Sequence, residues 1–497
     1  MSGHNPKPTV GALPDTAAAD SPLVPVALTW LSWLLFAASI GVLAVRAGGG
    51  GTWAVPGVVA VDGLTVLLWV VVTFFSGIVH SYSRRYMAGS GHETEFFLAV
   101  FGFTVVVMGL VAADHVALFG LLWLAMGLVM AELVGTNEGW TQARAAARVA
   151  RRYFLASSAL LAVALAALWW ATGASTVSDI AGAADSLAGP AWLVAATGLV
   201  LAAMVQSALV PFHTWLLASM TAPTPASALM HAGFVNAGGI LLVRFAPVVS
   251  VDPTVLLLVV VVGAASALLG KLFKSVQADT KTRLGCSTVG QMGFMVMQAG
   301  LGFFGAAITH LVLHGFYKAY LFLSAGEEVD HTGPADTTHA TGGAGPVGVV
   351  VTVLAGLAGG GLFVALTGKG TSLDSGLLLT GLVVLTTLHA TRGVLRSSAV
   401  PATYRYGAVP LVFLPAVAVY ALVYNAVRAV MADLSLVTAP AELTLVHGVV
   451  AAGFLAGYVA VETGLYRRSD RLYVALVNAT TAPSATLLTS REEYNEY

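Results

Sequence analysis

The stretch THLVLHGFYKAYLF, residues 309–322, sets His310, His314 and Lys318 at intervals of four. On an α-helix that spacing puts all three on one face, about 6 Å apart along the axis. One water molecule bridges such a gap. Imidazole titrates near neutrality and both accepts and donates protons, so the stripe has what a proton relay needs. HxxxH also suits zinc, but no Glu follows the first His and no third ligand stands nearby. A purely structural, hydrogen-bonded role is the remaining alternative.

A further imidazole, His231, lies in ASALMHAGFVNAGGILLVR, residues 226–244, beside Asn236 and the Gly238–Gly239 pair. Just upstream, ALVPFHTWLLASMTAPTPASA places Pro211, Pro223 and Pro225 around His213 and Trp215. Proline interrupts the i to i−4 ladder, so a broken helix is expected there. At membrane depth such breaks are tolerated only inside protein or beside a water-filled cavity, which is where ion sites occur. Lys271 and Lys274 sit at the inner end of an apolar run, where long basic side chains snorkel to the interface. Lys271, the deeper, is the better relay candidate. Asp62, Glu132, His389 and Glu462 stand isolated along the chain; of these, Glu132 is expected to serve the pathway.

The elements that must hold these groups are transmembrane helices. Of 497 residues, 57% are hydrophobic and 9% charged, against roughly 25% charged in soluble domains. The reading is an all-α polytopic membrane protein in contact with a lipid bilayer. A net charge of −1 gives no sign of nucleic-acid binding, and the single cysteine, Cys286, excludes an internal disulfide framework or a Cys-based metal cluster. A bilayer core of about 30 Å takes roughly 20 apolar residues per helix. Runs of that kind occur near 24–46, 62–80, 94–112, 115–135, 149–171, 192–209, 226–246, 254–273, 284–302, 305–325, 346–367, 376–392, 407–430 and 444–465, fourteen in all. Residues 1–22 read as a polar tail without a cleaved leader, 23–466 as one membrane domain and 467–497 as a second tail. Basic residues fix the sidedness. With the N-terminus inside, the inner loops hold Arg84, Arg85, Arg144, Arg148, Arg151, Arg152, Lys274, Lys281, Arg283, Arg396, Arg405, Arg467, Arg468 and Arg471. The outer loops hold essentially Lys369 alone, with Arg46, Arg244 and Arg428 at outer helix ends. Both termini are therefore expected in the cytoplasm, with the chain in the cell membrane.

The segments 208–244 and 282–326 resemble the proton-translocating subunits of respiratory complex I and Mrp-type antiporters, and VDGLTVLLWVVVTFFSGIVHSYSRRYM resembles the early membrane signature of that superfamily. The resemblance runs from about residue 55 to 365. Within it, MHAGFVNAGG followed by MQAGLGFFGAAITHLVLHGFYKAYLFLSAG is most similar to the DabB family, the membrane subunits of inorganic-carbon uptake complexes. The resemblance implies an antiporter-like fold with two related five-helix units, each containing a broken helix. It implies a central relay through His231, His310 and His314. Two departures stand out. Gln206 occupies the position where the antiporter-like subunits carry a lysine, and Leu124 the position of their glutamate. Lys369 is the nearest candidate for the broken-helix lysine of the second unit.

For function, the resemblance implies a subunit passing H⁺ or Na⁺ and energising a DabA-like cytoplasmic partner. That partner would hold zinc and convert CO₂ to bicarbonate. This chain would carry no cofactor and do no catalysis itself. The alternative is a subunit of a Na⁺/H⁺ antiporter or of a complex I or hydrogenase-type proton-pumping arm. An assembly scaffold that moves no ion is the plainest reading, and three ionisable groups on one membrane helix speak against it.

Overall fold

The structure, a computed structural model, describes residues 23–137, 139–325, 346–396 and 402–483. The tail 1–22 and the last part of the second tail, 484–497, lie outside the described residues.

Helix α1 (Leu23–Ala47) leads into a small antiparallel hairpin, β1 (Trp53–Val55) and β2 (Val59–Val61), with Trp53 opposite Val61. Gly57 turns the hairpin at φ +74°, a conformation glycine adopts at no steric cost. Then follow α2 (Gly63–Tyr86), α3 (Glu93–Ala112), α4 (Val116–Val134), α5 (Thr141–Thr172), the short α6 (Val177–Gly182) and α7 (Gly189–Gln206). The proline-rich stretch yields α8 (Thr214–Ala218), α9 (Thr224–Ala232) and α10 (Ala237–Arg244), then the single turn α11 (Ala246–Val249). The rest comprises α12 (Pro253–Val276), α13 (Thr280–Gly300), α14 (Phe304–Leu323), α15 (Pro346–Thr367), α16 (Ser375–Arg396), α17 (Ala402–Val430), α18 (Leu445–Glu462) and α19 (Asp470–Ala479).

Eleven of these helical stretches are long and apolar enough to cross a membrane, with α9 and α10 counted together. The expected runs at 284–302, 305–325 and 376–392 do coincide with long helices, α13, α14 and α16, but these fall outside the eleven. Thr, Gln, His, Lys and Arg dilute their apolar content. By length and composition alone eleven of the described helical stretches qualify, and the other three expected runs form helices of 21, 20 and 22 residues, so the count of fourteen is not confirmed. The hairpin was not expected at all, although Pro56-Gly57 is a turn signal.

Two features of the packing position the site. Helices α12 and α13 touch backbone to backbone through glycine. A Cβ on Gly263 would sit 2.5 Å from Met297 N, and one on Gly270 would sit 2.3 Å from Gly290 N. Small residues allow this closeness, which membrane helices use in place of a hydrophobic driving force. The second feature is a loop network at one end. Asp114 N donates to Val58 O at 3.0 Å, Val116 N to Ser175 O at 3.0 Å, and Trp192 Nε1 to Val248 O at 3.0 Å. At the same end Arg46 pairs with Asp433 at 2.8 Å, Ala439 N donates to Gly302 O at 2.8 Å, and Ser375 N donates to Ala441 O at 2.8 Å. This is the end carrying few basic residues. Arg46 is spent on Asp433, and Arg244 pairs with Asp62 and donates to Val111 O at 2.8 Å.

Candidate functional site

Gln206 ends α7, and the chain runs irregularly through Pro211 before α8 begins at Thr214. Pro223 is the N-cap of α9 and Pro225 lies in its first turn, where a missing N–H is harmless. Lys281 holds this stretch from below, its Nζ donating to Ala222 O at 2.9 Å. A second break follows at Gly233, with a tight turn over Phe234–Asn236 before α10. The expected broken segment is thus present, and it is broken twice. Gly238 lets α10 approach α7, since a Cβ there would fall 2.4 Å from Ala203 O.

His231, on the last turn of α9, is fully buried. Its ring stacks on Phe322 with centroids 4.3 Å apart, and Nδ1 meets Thr288 Oγ1 at 2.9 Å. Thr288 in turn donates to Leu284 O at 3.0 Å. A hydroxyl already donating must accept from the imidazole, so Nδ1 carries the proton. Nε2 is then the free acceptor, and it has no protein partner. Lys318 Nζ donates to the same Leu284 carbonyl at 2.9 Å, tying α14 to α9 through one backbone oxygen of α13.

Along α14 the rings of His310 and His314 lie nearly parallel, 5.9 Å apart. His314 is close enough to Lys318, His310 and His231 to feel the charge of each. Both ring nitrogens of His314, and Nε2 of His310, lack protein partners. Buried polar groups are ordinarily satisfied, by ordered water when not by protein. The line His231, Lys318, His314, His310 is therefore a row of groups whose remaining bonds are left to water.

Toward the loop-network end, Gln298 Nε2 donates to Tyr420 Oη at 3.2 Å. One turn further along α17, Tyr424 and the turn residue Phe303 enclose Lys369, with Nζ 4.1 and 3.8 Å from their ring centroids. That amine is buried and has no hydrogen-bond partner. It is held between Gly368 and Gly370, at φ +69° and +82°, where side-chain-bearing residues are strained.

At the opposite, basic end, Lys271 Nζ meets His389 Nε2 at 2.8 Å. His389 Nδ1 meets Glu462 Oε1 at 2.7 Å, and Arg392 Nε lies 3.1 Å from Glu462 Oε2. His389 and Glu462 are not isolated, as their sequence positions suggested, because α12, α16 and α18 converge on them.

Besides Lys271, three expected residues lie apart from the histidine row. Glu132 is exposed, with 67% of its side chain accessible, and pairs with Arg151. The pairing consumes its charge on the surface. His213 donates from Nε2 to Ala479 O at 2.9 Å and stacks on Phe273, so it anchors α19. Gln206 is fully buried with neither amide atom partnered. Elsewhere in the first half of the chain, Phe75, Phe103, Trp123, Met126 and Phe234 line an apolar cavity of about 40 Å³, with Asn236 among its walls. Leu124 is half-buried on α4, and neighbouring Trp123 donates to Ser157 Oγ at 3.2 Å. Among the described residues no three His, Cys, Asp or Glu side chains gather to hold a metal.

An integral membrane protein with one twice-broken helical segment and a buried histidine–lysine row defines an ion-translocating class of subunit. A family model described as NADH:quinone oxidoreductase/Mrp antiporter, transmembrane, matches residues 113–391, and one described as complex I chain 5 N-terminus matches 51–97. The chain belongs to the NADH:quinone oxidoreductase/Mrp antiporter transmembrane family.

Among curated relatives, the probable inorganic carbon transporter subunit DabB1 of Halothiobacillus neapolitanus is 39% identical over 276 residues, 54% of this chain and 49% of that protein. The probable inorganic carbon transporter subunit DabB of Bacillus subtilis is 37% identical over 312 residues, 61% and 58% of the two chains. NADH-ubiquinone oxidoreductase chain 5 of Cryptococcus neoformans is 35% identical over 266 residues, 53% and 40%. The matches thus span about half the length of these relatives. Among solved structures, a chain of the Mrp complex from Dietzia sp. superposes with TM-score 0.55 at 24% identity, over 96% of this chain and 52% of that one. A chain of the archaeal membrane-bound sulfane sulfur reductase superposes with TM-score 0.57 at 16% identity, over 94% of both. The fold is therefore antiporter-like.

Proposed function

We propose that this chain conducts a cation, H⁺ or Na⁺, through His231, Lys318, His314 and His310. The cation flow energises inorganic-carbon uptake by a DabA-like, zinc-binding cytoplasmic partner. The observation that carries the reading is the row of ring nitrogens left without protein partners on α9 and α14. A charge at mid-bilayer costs at least about 2.5–3.5 kcal/mol on insertion scales, so groups able to become charged there need hydration and a use. In this reading the donor–acceptor pairs of His231, fixed by Thr288, set the direction in which the first proton is offered. Lys369 stands at the far end, reached past Gln298 and Tyr420. Gln206 cannot take a charge, so the first unit contributes no ion pair of its own. The carbon chemistry belongs to the partner, in keeping with the names of the inorganic-carbon relatives.

The second reading is a subunit of a Na⁺/H⁺ antiporter or of a complex I or hydrogenase-type arm, favoured by the fold shared with the Mrp and sulfane sulfur reductase complexes. Uptake of labelled bicarbonate by cells holding the chain and its partner separates the two. On the first reading an uncoupler abolishes uptake, and His231→Ala or His310→Ala lowers it at least tenfold with the assembled complex intact. Parental uptake in both variants removes the relay. Na⁺/H⁺ exchange in vesicles without carbon uptake selects the second reading.

A further inference from the structure

Helices α12, α16 and α18 bring together three titratable side chains from positions 271, 389 and 462, and the histidine row does not include them. They could be nothing more than a clasp: Arg392 and Glu462 pair, Lys271 is near, and three helix ends are held. The geometry is more specific than a clasp requires. Imidazole is engaged at both nitrogens, Nε2 by an amine at 2.8 Å and Nδ1 by a carboxylate at 2.7 Å. Amine, imidazole and carboxyl thus form an unbroken chain in which every link is an exchangeable proton.

We infer that Lys271, His389 and Glu462 form a proton-loading station at the basic end of the membrane domain, passing protons from the aqueous side toward the interior. This rests on the conduction reading above. The step balances as follows. A proton on the Glu462 carboxyl moves to His389 Nδ1 while the proton on Nε2 moves to Lys271 Nζ. The state before is carboxylic acid, Nε2–H imidazole and neutral amine; the state after is carboxylate, Nδ1–H imidazole and ammonium. Only O–H and N–H bonds change, and one positive charge is carried from α18 to α12. The cycle closes when Lys271 passes its proton on, Glu462 takes one up, and the ring loses the proton on Nδ1 to water and regains one on Nε2; the ring is open to that exchange, with 37% of the His389 side chain accessible against 7% for Glu462.

The groups facing His389 each have a part. Arg392, on its own helix, holds the second oxygen of Glu462 and keeps the first aimed at Nδ1. Tyr458 on α18 meets the ring edge to face at 6.2 Å. Lys274, one turn further along α12, lies within electrostatic reach of both Lys271 and Lys318. Lys274 thus stands between the station and the start of the central row. Glu462 is the last residue of α18, and the exposed Thr463 follows it.

The test is proton flux into liposomes carrying the full chain with any subunit that co-purifies, read with an internal pH dye under an imposed potential. Two variants keep the clasp and stop the transfer. His389→Gln keeps a donor and an acceptor but cannot change tautomer, and Lys271→Arg keeps the charge but does not deprotonate. Each is expected to lower flux at least tenfold while shifting Tm by only a few degrees. His314→Ala serves as the reference for the central row. If His314→Ala is slow and both station variants run at the parental rate, the station is wrong and the conduction reading stands. The same holds if the parent carries labelled Na⁺ but no protons. A parental rate equal to that of empty liposomes overturns both.

Discussion

At the scale of single residues, Lys369 puts a direct question to the conduction reading. Its amine is buried against two aromatic faces at about 4 Å, with no hydrogen bond. Cation–π contacts of this kind supply roughly 0.5–2 kcal/mol, while desolvating an ammonium costs several kcal/mol. As a structural device the lysine is a poor one, because a methionine of similar length would fill the cage without the desolvation. Lys369→Met is therefore expected to leave stability within about 1 kcal/mol of the parent or to raise it, and to cut ion flux severalfold or more. Melting in detergent and flux in liposomes read the two effects separately. Loss of stability with flux intact would make Lys369 a packing residue. The i, i+4 stripe of His310, His314 and Lys318 was legible because helical periodicity alone puts those groups on one face. Thr288 and the cage around Lys369 were not, since they come from other segments and carry no local signal; Phe322 continues the stripe on α14, but nothing local shows that it meets His231.

At the scale of elements, the seam between α12 and α13 fixes where the site's components stand. Helix α12 carries Lys271, and α13 carries Thr288, Leu284 and Gln298, each of which touches the row or its continuation. A Cβ on Gly293 would lie 2.5 Å from Ala267 N and 2.6 Å from Gly263 O. These are backbone atoms, which cannot rotate away, so the helices themselves must part. Overpacking of this sort costs about 1–3 kcal/mol and occasionally more. Gly293→Val should accordingly lower Tm by several degrees and weaken flux, whereas Gly361→Ala, with nothing within 4 Å of its Cβ position, should lower Tm by much less. Equal melting of the two variants would show that the seam is not what holds α12 in place. Long apolar runs made most of these helices readable from sequence. The proline stretch marked a break but not its form, which depends on Lys281 reaching back to Ala222 O. His389 and Glu462 looked isolated because 73 residues separate them, and only the packing of α16 beside α18 joins them.

At the scale of the whole molecule, the loops reveal how the chain threads the bilayer. Connections following α1, α3, α5, α10, α13, α15 and α17 all meet at one end, through pairs such as Val59 with Ala113, His115 with Thr176 and Asp374 with Glu442. The opposite end gathers the connections that carry the arginine clusters, and there α19 is bound through His213 to Ala479. Helices that alternate direction this consistently leave one choice, which end faces the cytoplasm. The positive-inside asymmetry predicts that this is the basic end, and two of the arginines at the other end are paired internally, Arg46 with Asp433 and Arg244 with Asp62. Cysteine labelling of intact cells settles the assignment, because the one native thiol, Cys286, is buried and contributes little background. Thr371→Cys, exposed in the connection from α15 to α16, should react with an impermeant maleimide from outside. Arg468→Cys, exposed between α18 and α19, should react only after permeabilisation. The reverse pattern would invert the molecule, place the Glu462 station on the outer surface, and turn its proton loading into proton release.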